Sequence, residues 1–268
     1  MQEALAVSAR GVHWFLLNAS PEIRAQIESF PALWPQGPRQ SPIAGILLTN
    51  GDLDHTLGLL SLRESHPLNV YATETVQRGF AEGNVLYRTL QRFEGQVTWR
   101  TLRLDEETRL AAGAEADDLW VTPFAVPGKR PVHLEGAGPA SDEDNIGLLI
   151  RAAPGAPVCA YVPAAGAWTP DLASRLAGAE VVFFDGTFWA SDELVAAGLG
   201  TKRAEDMAHV PVGGAGGTLE RLSGLGARRR ILIHINNTNP ILREGAPERA
   251  AVEAAGVEVA FDQMELVV

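Results

Sequence analysis

The apolar run Ile43-Ala44-Gly45-Ile46-Leu47-Leu48 ends abruptly in Thr49-Asn50-Gly51-Asp52-Leu53-Asp54-His55. A short continuous apolar run bounded by turn residues reads as a strand buried in a sheet. The residues that follow, from Asp54 to Glu64, carry an amphipathic pattern and read as a helix. Asp54 and His55 therefore stand where a buried strand hands over to a helix. In open α/β sheets, ligands gather at the carboxyl ends of strands. Two further strand ends carry polar groups: Asp185, closing Val181-Val182-Phe183-Phe184, and His234, inside Arg230-Ile231-Leu232-Ile233-His234-Ile235. Each has a plain alternative as a helix cap, a turn acid or a packed core histidine. Their shared position at strand ends favours one site.

The rest of the chain mixes strands and helices throughout. Strands are expected at 4–7, 12–17, 43–49, 69–73, 97–104, 119–126, 145–150, 157–162, 181–185, 230–235, 257–260 and 264–267. Ser20 is expected to cap a helix with Pro21 at its first position, and Thr169-Pro170 repeats that signal. Further helices are expected at 74–80, 86–93, 216–222 and 247–255. Two halves of this kind, packed through their sheets, give a four-layer αββα sandwich in a single domain over 1–268. The Pro- and Gly-rich stretch from Pro127 to Asp144 is a long loop, of the sort that tends to be functional.

Charge narrows the partners. A net charge of -11 argues against nucleic acid or an anionic membrane, since both select basic surfaces. No segment approaches the roughly 18 to 20 apolar residues of a membrane-spanning helix. One cysteine, Cys159, excludes an internal disulfide framework. A reducing cytoplasm is the expected compartment, a small molecule the expected partner, and a homodimer is compatible with the composition.

Among the other histidines, His209 precedes a Gly-rich turn and suits a supporting or substrate-contacting role. His13 and His66 read as surface or packing residues, and His133 as a residue of the long loop. Gly213 to Gly217 could cradle an anion at a helix start, but the signal is weak and a plain flexible turn is the stronger reading. Arg228-Arg229-Arg230 reads as a solvated run.

The strand-end turn resembles the metallo-β-lactamase superfamily signature His-x-His-x-Asp-His. Here it reads Asn50-x-Asp52-x-Asp54-His55, so only the last two positions match. The run His234-Ile235-Asn236-Asn237-Thr238-Asn239-Pro240, with Asp185-Gly186-Thr187-Phe188-Trp189 and residues 207–217, is more distinctive. Together they resemble the pyrroloquinoline quinone (PQQ) biosynthesis protein B family from the first strands to the last. Where related hydrolases hold further ligands, this chain has Val126-Pro127-Gly128 and Val162-Pro163. A dinuclear zinc centre and hydrolysis by a metal-bridged hydroxide are therefore not expected.

The resemblance implies Asp54, His55 and His234 as ligands of one metal, a facial triad suited to Fe(II) with open positions for oxygen and substrate. Zinc binds such a set too, so purified protein is expected to carry zinc or no metal at all. Asp185 and His209 would orient ligands or act as acid and base. Asn50, Asp52, Trp189, Asn236 and Asn237 would bind substrate or support the ligands, with the asparagines after His234 expected mainly to brace its loop. The implied reaction is O2-dependent hydroxylation of a tyrosine-derived Glu–Tyr precursor during PQQ assembly. A hydrolase of the same fold and a non-catalytic carrier of PQQ or its precursor are the rival readings. Family members also begin with a strand and a zinc-binding cysteine cluster, for which this chain has no matching residues, so no structural zinc is expected.

Overall fold

The computed structural model describes residues 3–38, 40–63, 66–113, 117–134 and 139–268. Residues 1–2, the expected helix end at Glu64, and residues 135–138 of the expected long loop lie outside the described residues. The chain forms two compact units. One comprises Met1–Ala125, Arg130–Ile146 and Ile150–Ala156; the other comprises Val126–Lys129, Gly147–Leu149 and Pro157–Val268.

The first unit is organised by a five-stranded sheet in the order β1 (Leu5–Val7), β2 (Trp14–Leu17), β3 (Ile43–Leu47), β4 (Leu68–Ala72) and β5 (Val97–Thr101). Only β1 and β2 are antiparallel; the others pair in parallel. Side chains alternate across a sheet, so Leu16, Ile46 and Val70 face one side with Ile23 of α1 (Ile23–Ser29) and Val76 and Phe80 of α3 (Glu74–Gly83). Phe15 and Leu17 point to the other face and are also fully buried. Strands buried on both faces lose polar alternation, which is why Ile43 to Leu48 read as an unbroken apolar run. Phe80, Tyr87 and Trp99 close the helical side with ring centroids 5.8 to 6.1 Å apart. Such aromatic pairs each add about 0.5–1.5 kcal/mol beyond their burial.

The hairpin β6 (Thr108–Leu110) and β7 (Leu119–Ala125) also belongs to this unit, beside β8 (Ile146–Arg151). Sequence reading missed β6, a three-residue strand too short to show a period. β8 carries residues of both units.

In the second unit, β8 is followed by β9 (Cys159–Val162), β10 (Val181–Asp185), β11 (Arg229–Ile233) and β12 (Glu258–Val259) in sequential order. The last four are parallel, and α4 (Pro170–Leu176), α5 (Thr218–Ser223) and α6 (Pro247–Ala254) lie in the crossovers between them. Parallel neighbours require such crossovers, so strand ends with the same polarity line up. Asp185 pairs with Ile233, which sets Asp185 and His234 side by side at the carboxyl edge.

Four expectations are corrected. Ser20 does not cap a helix: it is fully buried, its carbonyl accepts the Ile23 N–H, and the helix starts at Ile23. Tertiary contacts claim this segment, because Ala19 donates to the His55 carbonyl at 2.7 Å and accepts from Gly58 at 2.9 Å. The helix after Asp52 is one short turn, α2 (Leu53–Thr56), followed by 3₁₀ geometry over Leu57–Ser61. Likewise Val85–Gln91 is 3₁₀ rather than α. Residues 264–267 form no strand; pairing ends where Ala260 donates to Leu232, and Val267 is exposed.

Candidate functional site

In the first unit, the turn after β3 carries Asp54 and His55 on α2. Gly58 lets this turn lie on the backbone of residues 19–20, since a Cβ there would collide with the carbonyl oxygens of Ser20 and Ala19. The contact brings His55 onto Asn18. The His55 ring is buried, with Nδ1 2.7 Å from Asn18 Nδ2 and 3.4 Å from Thr49 Oγ1. Asn18 is itself held, accepting the Thr49 N–H at Oδ1 at 2.9 Å. It adopts φ +62°, a left-handed conformation that asparagine tolerates better than most residues. Asp54 Oδ2 lies 3.6 Å from His55 Nε2, and its side chain is 42% exposed, so it faces solvent from the buried imidazole. Glu3, also buried, sets a carboxylate oxygen within 4.8 Å of a His55 nitrogen.

Asn50 and Asp52 do structural work in the same turn. The Asn50 amide donates to Asn145 Oδ1 at 3.2 Å and accepts the Asp52 N–H at 3.0 Å. Asp52 in turn offers its carbonyl to the Thr56 hydroxyl.

The second unit gathers Asp185, His209 and His234. Asp185 is completely buried. Its Oδ2 accepts from Ala165 N at 2.9 Å and His209 Nδ1 at 2.7 Å, and its Oδ1 accepts from Thr187 N at 2.9 Å and Thr187 Oγ1 at 2.6 Å. Burial pushes this carboxyl up, yet the charge of His209 and its hydrogen bond, the charge of His234 and the Thr187 hydroxyl outweigh it and hold it below the usual aspartate range. His234 Nδ1 lies 2.7 Å from Thr187 Oγ1 and 3.9 Å from Asp185 Oδ1. The two imidazoles stack with centroids 5.4 Å apart, and Phe188 meets His209 edge-on. Although the carboxylate and both rings offer ligand atoms within 4.8 Å of one another, four donors already occupy the carboxylate. Asp185 is thus the hub of a hydrogen-bonded scaffold, on which His209 spends Nδ1 directly and His234 through Thr187.

The backbone is bent to make this possible. His234 sits at φ +57° and Ala208, next to His209, at φ +62°. A non-glycine residue held there costs of order 1–3 kcal/mol, and such strain persists where surrounding contacts enforce it.

Known proteins resemble this chain in sequence and fold. A family model described as a β-lactamase superfamily domain matches residues 13–235. Coenzyme PQQ synthesis protein B of Gluconacetobacter diazotrophicus is 44% identical over 99% of this chain and 87% of its own length. The protein of the same description from Methylobacterium sp. strain 4-46 is 45% identical with the same coverage. This chain belongs to the PQQ synthesis protein B family. The crystal structure of Zn(2+)-bound PqqB from Methylobacterium extorquens, 41% identical, superposes with a TM-score of 0.89 over 99% of this chain and 87% of that one. The metallo-β-lactamase fold, α/β with two sheets, follows from these likenesses.

The family run after His234 divides its labour in this chain. Asn239 donates to the carbonyls of Gly186 and Thr187 and accepts the Ile241 N–H, and the Asn236 N–H donates to the Thr187 carbonyl. Asn236 also donates to Thr238, whose hydroxyl donates to Glu193, and Glu193 accepts the Trp189 N–H at 2.7 Å. These bonds tie the loop after β11 to the loop after β10. Asn237 is exposed and stands outside this bracing, contrary to expectation. Trp189 lies against Gly213, where a Cβ would come within 2.6 Å of the indole.

The Gly-rich turn does not hold an anion cradle: Gly216 N–H already meets the Glu220 carboxylate, and Gly217 N–H meets the Gly214 carbonyl. Arg228 and Arg229 pair with Glu180 and Glu258 rather than forming a free basic run. His13 pairs with Asp117 at 2.9 Å, and His133 is exposed. Asn18, Thr49, Thr187 and Glu193 are the supporting residues that sequence reading missed. A hydroxyl two residues after a buried acid, Asp185-x-Thr187, was the available signal.

Among the described residues, no helix is long and apolar enough to cross a membrane.

Proposed function

We propose that this chain is an Fe(II)-dependent, oxygen-consuming hydroxylase of PQQ assembly, acting on a Glu–Tyr precursor. Membership of the PQQ synthesis protein B family supports the pathway. The observations that support the chemistry lie within each unit: His55 is held at Nδ1 by Asn18 beside the solvent-facing carboxylate of Asp54, and His234 is held at Nδ1 by Thr187. That set fits a two-histidine, one-carboxylate ion with open positions. Asp54, His55 and His234 would hold it. Bound there, Fe(II) supplies the oxygen chemistry that side chains lack.

The zinc in the Methylobacterium extorquens relative is compatible, because zinc binds the same donors more tightly than Fe(II). His209, with Nδ1 committed to Asp185, keeps its second nitrogen to accept a phenol proton. Asp185 acts through His209, since its oxygens are occupied and buried. Asn237, exposed beside the braced loop, is the asparagine assigned to substrate. In the reaction, an aromatic C–H becomes C–OH with one atom of O2. The other atom leaves as water, drawing two electrons and two protons from an added reductant such as ascorbate.

The test is anaerobic reconstitution with Fe(II), then turnover of a Glu–Tyr crosslinked precursor with and without oxygen. Oxygen uptake matched to hydroxylated product is expected. Equal product without oxygen eliminates this reading and favours a hydrolase, and binding without any turnover favours a carrier.

A further inference from the structure

We infer that Thr187 is a positioning residue that fixes the ring proton of His234 on Nδ1, so that Nε2 presents its lone pair. Its hydroxyl is buried and lies between a carboxylate and an imidazole, 2.6 Å from Asp185 Oδ1 and 2.7 Å from His234 Nδ1. It has one proton to give. Two oxygens at 2.6 Å without a proton between them would set lone pair against lone pair, so the Thr187 proton goes to Asp185. Asp185 cannot supply it instead, because both its oxygens are filled by backbone N–H groups and His209 as well.

With its proton committed, the Thr187 oxygen can only accept from His234. A nitrogen at 2.7 Å must then be the protonated one. The carboxylate thus dictates the His234 tautomer through a hydroxyl, while it dictates that of His209 directly at 2.7 Å. The contact to His209 Nδ1 at 3.0 Å shares the same acceptor and is satisfied by the same orientation. The left-handed backbone of His234 and the bond from Asn236 N–H to the Thr187 carbonyl hold the two residues in register. Metal-bound histidines characteristically donate their other N–H to such a partner, and losing it costs about 10–100-fold in metal affinity.

The tautomer assignment stands on hydrogen-bond geometry alone, whereas its consequence for metal rests on His234 being a ligand, as proposed above. Long-range 1H–15N NMR of the metal-free full chain, followed up the pH scale from about pH 8 until the ring shifts stop changing, reads the tautomer directly. His234 is assigned by comparison with His234→Gln. The wild-type protein is expected to show His234 protonated on Nδ1. Thr187→Val is expected to move the proton to Nε2, and Thr187→Ser to restore it. Zn(II) affinity, measured by chelator competition, should fall about 10–100-fold in Thr187→Val and recover in Thr187→Ser.

A wild-type His234 protonated on Nε2 overturns the inference, and that result needs no variant to fold. So does a valine variant that keeps the Nδ1 proton. A proton that moves in Thr187→Val without any change in Zn(II) affinity supports the tautomer assignment and overturns His234 as a ligand.

Discussion

His55 and His234 are both held by a hydrogen bond at Nδ1, but the first unit uses an amide and the second a carboxylate relayed through a hydroxyl. Thr49 N–H can only donate, so it fixes Asn18 Oδ1 and turns Asn18 Nδ2 toward His55. Neutral His55 therefore accepts at Nδ1 and carries its proton on Nε2, facing Asp54 at 3.6 Å. His209, on Asp185, carries its proton on Nδ1 instead. To bind a metal through Nε2, neutral His55 must move its ring proton to Nδ1, whereas His209 already carries it there. The same side chain at two strand ends is thus prepared differently, by whether its partner donates or accepts.

The largest effect that could break this comparison is on stability. Asp185→Ala removes a buried charge from its partners and is expected to cost about 3–5 kcal/mol. Asn18→Ala strands neutral groups only and should cost about 1–3 kcal/mol. Urea unfolding of the two variants checks this; equal costs would mean that the charge contributes nothing special.

Acidity separates the two supports next. Because the folded Asp185 carboxyl is held low, its contribution is fully present above the unfolded aspartate value of about 3.9. It is lost as pH falls through the lower folded value. The stability gap between wild type and Asp185→Asn should therefore hold down to about pH 4 and close below it. The gap for Asn18→Ala should show no such closure, as no carboxyl is removed. A wild-type advantage over Asp185→Asn that already shrank near pH 6 would contradict the direction assigned to Asp185.

The tautomer itself gives the smallest and sharpest contrast. In the metal-free chain, long-range 1H–15N NMR, with His55 assigned by comparison with His55→Gln, should find the neutral His55 ring protonated on Nε2. Asn18→Asp replaces the donor with an acceptor and should move that proton to Nδ1. A wild-type ring already protonated on Nδ1 would erase the difference between the two histidines.

Much of the fold was legible. The apolar run at Ile43, the matched ends of Val181–Asp185 and the Thr169 cap, whose hydroxyl accepts the Leu172 N–H, all appear as read. Each depends on local pattern or a local hydrogen bond. What failed was local pattern overruled from a distance. Ser20 lost its cap because Gly58 and His55 hold the segment 18–20, and the turn after Asp54 tightened because it packs against that backbone. The single cysteine shows the same limit: Cys159 sits in β9, where burial pushes its thiol up to about 12, a property no spacing reveals.

By itself the sequence determined that polar residues close three buried strands, and the run from His234 to Pro240 carried the family. Only the tertiary structure decided which groups meet. Asn18 reaches His55 across 37 positions, His209 reaches Asp185 across 24, and Thr187 reaches His234 across 47. Whether an imidazole is given a proton or asked for one depends on atoms set within about 0.3 Å by strand register and loop closure. Periodicity along a chain fixes which face a residue takes, but not which donor waits there.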